Sequence, residues 1–273
     1  MKKCNMELEA NAVTWALTKG CEQGQSVNAC LRQAIEDAMS VPFQIIGDAS
    51  PPFAQVDDPD GQWQWAVFQN NAPGVSQLST MRSLKRKIRA AREIDQSSSF
   101  HDNWLTGFDL TKKSGIWPNT SVNAVPADEG YACVSVCHRF VLCSTDNKSA
   151  GYCTVTLTLM SFCDGGALDA EIEIGTVFID PACRGIGLSY LLAEAVAAVT
   201  VSMLRELHLR LVSSSAKEVC NLELHVMGQC ISSGGERFLE ITADQFEQQW
   251  YEFVDGASEQ VRVEITKILF DEE

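Results

Sequence analysis

The feature that most limits the fold is a succession of three strand-like runs between residues 132 and 179. Ala132–Ser144, Tyr152–Phe162 and Ala170–Ile179 are rich in β-branched and aromatic residues, and their links, TDNKSAG and CDGG, carry turn chemistry. Strands joined this tightly pair antiparallel, because a parallel pair needs a crossover of about a dozen residues. The third run ends in Asp180-Pro181. The stretch TVFIDPACRGIGLSYLL then passes through Arg184, Gly185 and Gly187 into good helix formers. Glycine loses more conformational entropy on folding than alanine, so two glycines here answer a need. Either the turn demands positive φ, or something comes close to the backbone. The second option predicts an anion, because a helix N-terminus presents unpaired N–H groups.

The rest of the chain arranges itself around this segment. The helix spans at least Gly187–Leu204 and can extend to Leu211. Asn221–Cys230 reads as a strand, and Ser232-Ser233-Gly234-Gly235 breaks it. Phe238–Ile241 reads as a short continuation, Thr242 caps a helix through Val254, and Val261–Phe270 closes the chain as a strand. Upstream, Leu8–Leu17 and Val27–Met39 look helical, the second capped by Ser26. Residues 41–61 read as a surface loop with at most a short strand, and Trp63–Phe68 as a strand. Residues 96–130 form a long connection whose Trp104, Phe108 and Trp117 suggest that it packs on the fold or covers a cleft.

Bulk properties remove several function classes. A chain of 273 residues, 45% hydrophobic and 21% charged, is that of a folded soluble protein. No run approaches a membrane span; Leu188–Leu204, the richest, carries Glu194. The N-terminal MKKCNMELEAN has no apolar stretch after its lysines, which predicts no secretion signal and a cytoplasmic protein. A net charge of −15 argues against nucleic acid or an anionic membrane as the main partner and would suit a cationic substrate. Six of the 21 basic residues nevertheless fall in Met81–Arg92, a helical segment with Leu84, Ile88 and Ala91 on one stripe. Those charges make a solvated face or a positive patch for an anion. The eleven cysteines are odd in number and include no CxxC pair, so buried, reduced thiols are expected. Cys133, Cys137 and His138 come nearest to a metal cluster, but in a strand His138 points away from the two cysteines. No metal site is expected.

Three anion-binding patterns compete for the glycine turn. A P-loop would end in GK[ST], which is missing. A Rossmann turn would have a third glycine where Tyr190 stands, and its strand would open a βαβ unit instead of following a meander. A nucleotide-dependent oxidoreductase is disfavoured accordingly. Arg184-x-x-Gly187-x-Ser189, following Val177-x-Ile179-x-Pro181, resembles the acyl-CoA-binding signature of the GNAT superfamily of N-acetyltransferases, Q/R-x-x-G-x-G/A. Serine stands where that family prefers Gly or Ala. The order of elements extends the resemblance to about residues 131–270. The fold it implies is α+β, GNAT-like (acyl-CoA N-acyltransferase): a mixed sheet with an antiparallel meander, flanking helices and an N-terminal helical extension. Residues 1–60 would be that extension and 61–273 the acyltransferase domain.

The resemblance also implies a chemistry. An acyl group, most simply acetyl from acetyl-CoA, passes directly to a primary amine of a small molecule or peptide. Amides from Arg184, Gly185, Ile186, Gly187, Leu188 and Ser189 would grip the diphosphate. Backbone groups of Val177 and Ile179 would pair with the pantetheine arm. Glu173 is the candidate base and Tyr251 the candidate acid for the departing thiolate. Glu171 shares the face of Glu173, and His225 could face the cleft. The alternative reading is a GNAT-like module that binds acyl-CoA or a protein without turnover. Fold alone does not fix the acceptor. The acyl length and the oligomeric state, a homodimer included, stay open.

Overall fold

The three β-branched runs do form a meander, and everything else in the fold builds outward from it. The computed structural model describes residues 54–57, 63–69, 74–95, 121–125, 131–162, 168–213, 220–229, 233–254 and 261–270. Their elements, in chain order, are β1 (Ala54–Asp57), β2 (Trp63–Gln69), α1 (Gln77–Asp95), β3 (Ser121–Val125), β4 (Tyr131–Ser144), β5 (Ser149–Phe162) and β6 (Leu168–Ile179). A short 3-10 turn (Pro181–Cys183), α2 (Leu188–Ser213), β7 (Cys220–Gln229), α3 (Ser233–Val254) and β8 (Val261–Phe270) follow. The strands make one eight-stranded sheet in the order β1-β2-β4-β5-β6-β7-β8, with β3 also paired to β4. β2 and β3 share one edge of β4 end to end, β2 on Phe140–Ser144 and β3 on Cys133–Cys137. The meander β4-β5-β6 is antiparallel, whereas β6-β7 and β7-β8 are parallel, each joined by a crossover helix. The fold is therefore α+β with a mixed sheet.

Both faces of the sheet carry cores. On one, Leu157, Leu159, Ile172, Leu224 and Val226 pack under α2 and α3, which contribute Leu192, Val196, Phe238, Phe246 and Trp250. The two parallel crossovers deliver both helices to this same face, as connections of one hand do. On the other, α1 lays Met81, Leu84, Ile88 and Ala91 on Ala66, Phe68, Val141, Tyr152 and Phe178. The apolar stripe expected of the basic segment is thus its buried side, and Arg82, Arg86 and Arg89 lie on the exposed side. Each fully buried Leu or Phe stabilises the fold by roughly 1.5–3 kcal/mol.

Two expectations need correction. Ser233-Gly234-Gly235 does not separate a strand from a helix; α3 starts at Ser233 and runs unbroken to Val254. Glycine is cheap in a first turn, where the N–H groups have no intrahelical acceptor anyway. Phe238–Ile241 are helical, and the Thr242 hydroxyl donates back to the Phe238 carbonyl at 2.8 Å in mid-helix instead of capping one. Next, β3 lies inside the expected connection 96–130, held by in-register pairing to β4 and not by its own propensity. β1 is the short strand allowed for within residues 41–61, and it joins the sheet by antiparallel pairing with β2. The predicted helices Leu8–Leu17 and Val27–Met39, and Trp104, Phe108 and Trp117, lie outside the described residues.

Candidate functional site

The sheet comes apart at one place. β6 pairs with β7 from Leu168↔Leu222 to Ile174↔Gly228 and no further, yet β6 continues to Ile179 against β5 alone. A wedge opens between β6 and β7 beyond Ile174. Gly175 sits at its apex as a bulge: Val155 and Thr154 of β5 oppose Ile174 and Thr176, leaving Gly175 unmatched. A bulge bends its strand and increases its twist. Gly228 permits the close approach at the apex, since a Cβ there would stand 3.0 Å from the Ile174 carbonyl oxygen.

The alternation of strand groups shows which backbone faces the wedge. The Asp180 N–H donates to the Ala150 carbonyl at 2.8 Å, so Asp180, Phe178 and Thr176 turn toward β5. Val177 and Ile179 therefore turn their N–H and C=O groups into the wedge, where β7 offers no pairing. The Ile179 carbonyl is met by Arg184 Nε at 3.0 Å.

Beyond Ile179 the chain makes its glycine turn. Gly185 and Gly187 have φ of +82° and +84°, so the conformation itself demands glycine. A Cβ on either would meet nothing within 4 Å, so the turn also borders open space. The first option raised by the sequence thus holds, and the open space leaves room for the second. The N–H groups of Gly185, Ile186, Gly187, Leu188 and Ser189 meet no acceptor among the described residues. Arg184 differs from the expectation: its N–H closes the preceding turn onto the Pro181 carbonyl at 3.3 Å, and its contribution is the side-chain bond to Ile179.

Asp180 anchors the turn from below. One carboxylate oxygen accepts the Ala182 N–H at 3.1 Å, and the other accepts Lys87 Nζ of α1 at 2.6 Å. Burial opposes ionisation of Asp180, but the bonds from Lys87 and Ala182 and the charges of Lys87 and Arg184 outweigh it and hold the carboxyl below its usual range. Lys87 is the one basic-helix residue tied to the turn among the described residues, and sequence reasoning did not single it out.

Below the apex, Glu173 lies exposed between Thr156 and Met227 in register. Glu171, one row lower, is half-buried between Thr158 and His225. Burial raises its pKa; His225 opposes this, and Glu173 and Asp169 add to it. Ligand atoms of Asp169, Glu223 and His225 lie within 4.8 Å of one another, with His225 Nε2 3.8 Å from Glu223. The sequence predicts no metal site and does not single out this group. It was missed because its members sit on two strands more than 50 residues apart in the chain, joined only by register. His138 faces the other side of the sheet, buried and stacked on Phe140 with ring centroids 6.0 Å apart, and burial drives its pKa down to about 4.

Tyr251 is not brought to this place. α3 starts beside the wedge end of β7 and runs back along the strands, so Tyr251 stands about 27 Å down the helix from Ser233, exposed. The tyrosine at the mouth is Tyr190, in the first turn of α2 and 48% exposed. Its hydroxyl accepts Arg237 Nη2 of α3 at 3.4 Å, which bridges the first turn of α2 to the second turn of α3.

No family model matches the chain, and no curated protein or solved structure matches it. No helix among the described residues is long and apolar enough to cross a membrane.

Proposed function

We propose that the protein is an acyl-CoA-dependent N-acyltransferase of GNAT type that transfers acetyl from acetyl-CoA to a primary amine. One observation carries this reading: the unpaired edge of β6 leads straight into the glycine turn. A substrate that combines an amide-bearing arm with a diphosphate matches that sequence of donors. From Ile174 to Asp180 the edge spans roughly 20 Å. The amides of Val177 and Ile179 would hold the arm as a strand holds a peptide. The amides of Gly185 through Ser189, with the dipole of α2, would hold the diphosphate. This explains how a chain of net charge −15 can take so anionic a substrate.

The thioester then lies near the apex, beside Glu173. An amine attacks only when neutral, so Glu173 takes its proton directly or through a water. Nitrogen forms a bond to the carbonyl carbon, the carbon–sulfur bond breaks, and the thiolate receives a proton. We assign that last proton to solvent, because Tyr251 is a helix length away. The exposed carboxylates on the Glu173 side of the sheet favour a cationic acceptor.

Calorimetric titration with acetyl-CoA, paired with thiol release over a panel of amines, tests the reading. Binding with amine-dependent release supports it. No binding refutes it. Binding without release from any amine favours the non-catalytic module, which the distance of Tyr251 keeps in view.

A further inference from the structure

The glycine turn does not face solvent alone. The two crossovers start α2 and α3 at the same end of the sheet, on either side of the wedge. Arg237 projects from the second turn of α3, exposed, with its guanidinium on the hydroxyl of Tyr190 three residues past Gly187. Among the described residues Arg237 makes no salt bridge. Its carboxylate neighbours Glu236 and Glu240 are themselves exposed. A guanidinium carries five donors in a planar fork suited to phosphate oxygens, and one bond to a phenol leaves most of them unused.

We infer that Arg237, oriented by the Tyr190 hydroxyl, is the side chain that recognises a phosphate group of the acyl donor from across the wedge. This rests on the acyl-CoA reading above. It adds a residue on a second helix to a site otherwise built from main-chain donors, and it makes the phosphorylated part of the donor a determinant of selectivity. Tyr190 is a positioning residue: it holds the fork at the mouth, while Glu240 acts on it through charge without a salt bridge.

The test measures affinity of the full chain for acetyl-CoA and for its 3′-dephospho analogue at two salt concentrations, in wild type, Arg237→Gln, Arg237→Lys and Tyr190→Phe. Loss of a charged hydrogen bond predicts roughly ten- to hundredfold weaker binding for Arg237→Gln and a shallower salt dependence. Arg237→Lys should recover part of the affinity, and Tyr190→Phe should lose less than Arg237→Gln. Equal loss for both ligands assigns Arg237 to the diphosphate; loss confined to acetyl-CoA assigns it to the 3′-phosphate. Unchanged affinity and salt dependence in Arg237→Gln overturns the inference, while the acyl-CoA reading stands if wild type binds. Failure of wild type to bind either ligand removes both.

Discussion

Replacing Gly187 by alanine and by tryptophan separates two demands that the turn places on one residue. The φ of +84° costs any L-residue roughly 1–2 kcal/mol, and a Cβ there meets nothing within 4 Å, so no steric cost adds to the backbone cost. Both variants should therefore lose about the same stability, a fall in Tm of roughly 2–8 °C. They should differ in binding. Alanine adds one methyl at the edge of the open space, whereas an indole fills it and blocks the amides from Gly185 to Ser189. Differential scanning calorimetry and titration with acetyl-CoA on the same samples give both quantities. Alanine should retain measurable affinity and tryptophan should bind at least a hundredfold more weakly than alanine. Equal affinities at equal Tm would mean that the space beside Gly187 holds no ligand. A Tm for tryptophan far below that for alanine would mean that the space is not open.

Further outcomes follow from the same geometry. Glu173→Gln should slow transfer and leave acetyl-CoA affinity intact, and an unaltered pH–rate profile would remove Glu173 from the base role. Lys87→Met should lower stability by about 1–3 kcal/mol in urea denaturation, since it strips Asp180 of its partner. Because the Asp180 carboxyl is held below its ordinary range, its own contribution is present above pH 4 and lost as pH falls further. His138 acts at higher pH. Its pKa of about 4 in the fold lies below the unfolded 6.5, so the unfolded chain takes up the proton first and stability drops as pH falls from 6.5 to 4. At about 1.4 kcal/mol per pH unit, the loss comes to about 3 kcal/mol. Glu171 and Glu194, raised by burial, slope the other way, so the difference between wild type and His138→Gln is the quantity to read. A difference that stays constant over that range would show that His138 is not buried neutral.

The strands of the meander were legible in the sequence because each is long, β-branched and bounded by turn residues. Tyr131–Ser144 and Leu168–Ile179 begin only one and two residues before the predicted starts. The glycine turn was legible for a similar reason, since few local demands justify two glycines there. β3 was not, because SVNAV gets its structure from β4 and not from its own composition. The start of α3 was missed because Ser-Gly-Gly reads as a breaker when its place in a first turn is unknown. Tyr251, chosen by resemblance as the tyrosine of this helix, therefore stands twice as far along it as a start at Thr242 would put it. The Arg237–Tyr190 bridge, Lys87–Asp180 and the Asp169–Glu223–His225 group left no local signal. Each joins positions that only the topology makes neighbours.

The bulge at Gly175 coincides with the last row that β7 shares with β6. β6 has one residue more than β5 has partners for it, and the surplus falls at the last row that β7 shares. β7 ends one residue later at Gln229 while β6 runs on to Ile179, so the gap is a difference in strand length, written in the main chain. Side-chain scanning would leave it in place, whereas lengthening β7 past Gln229 would give the two parallel strands more rows to pair and would narrow the site without touching any residue assigned to it.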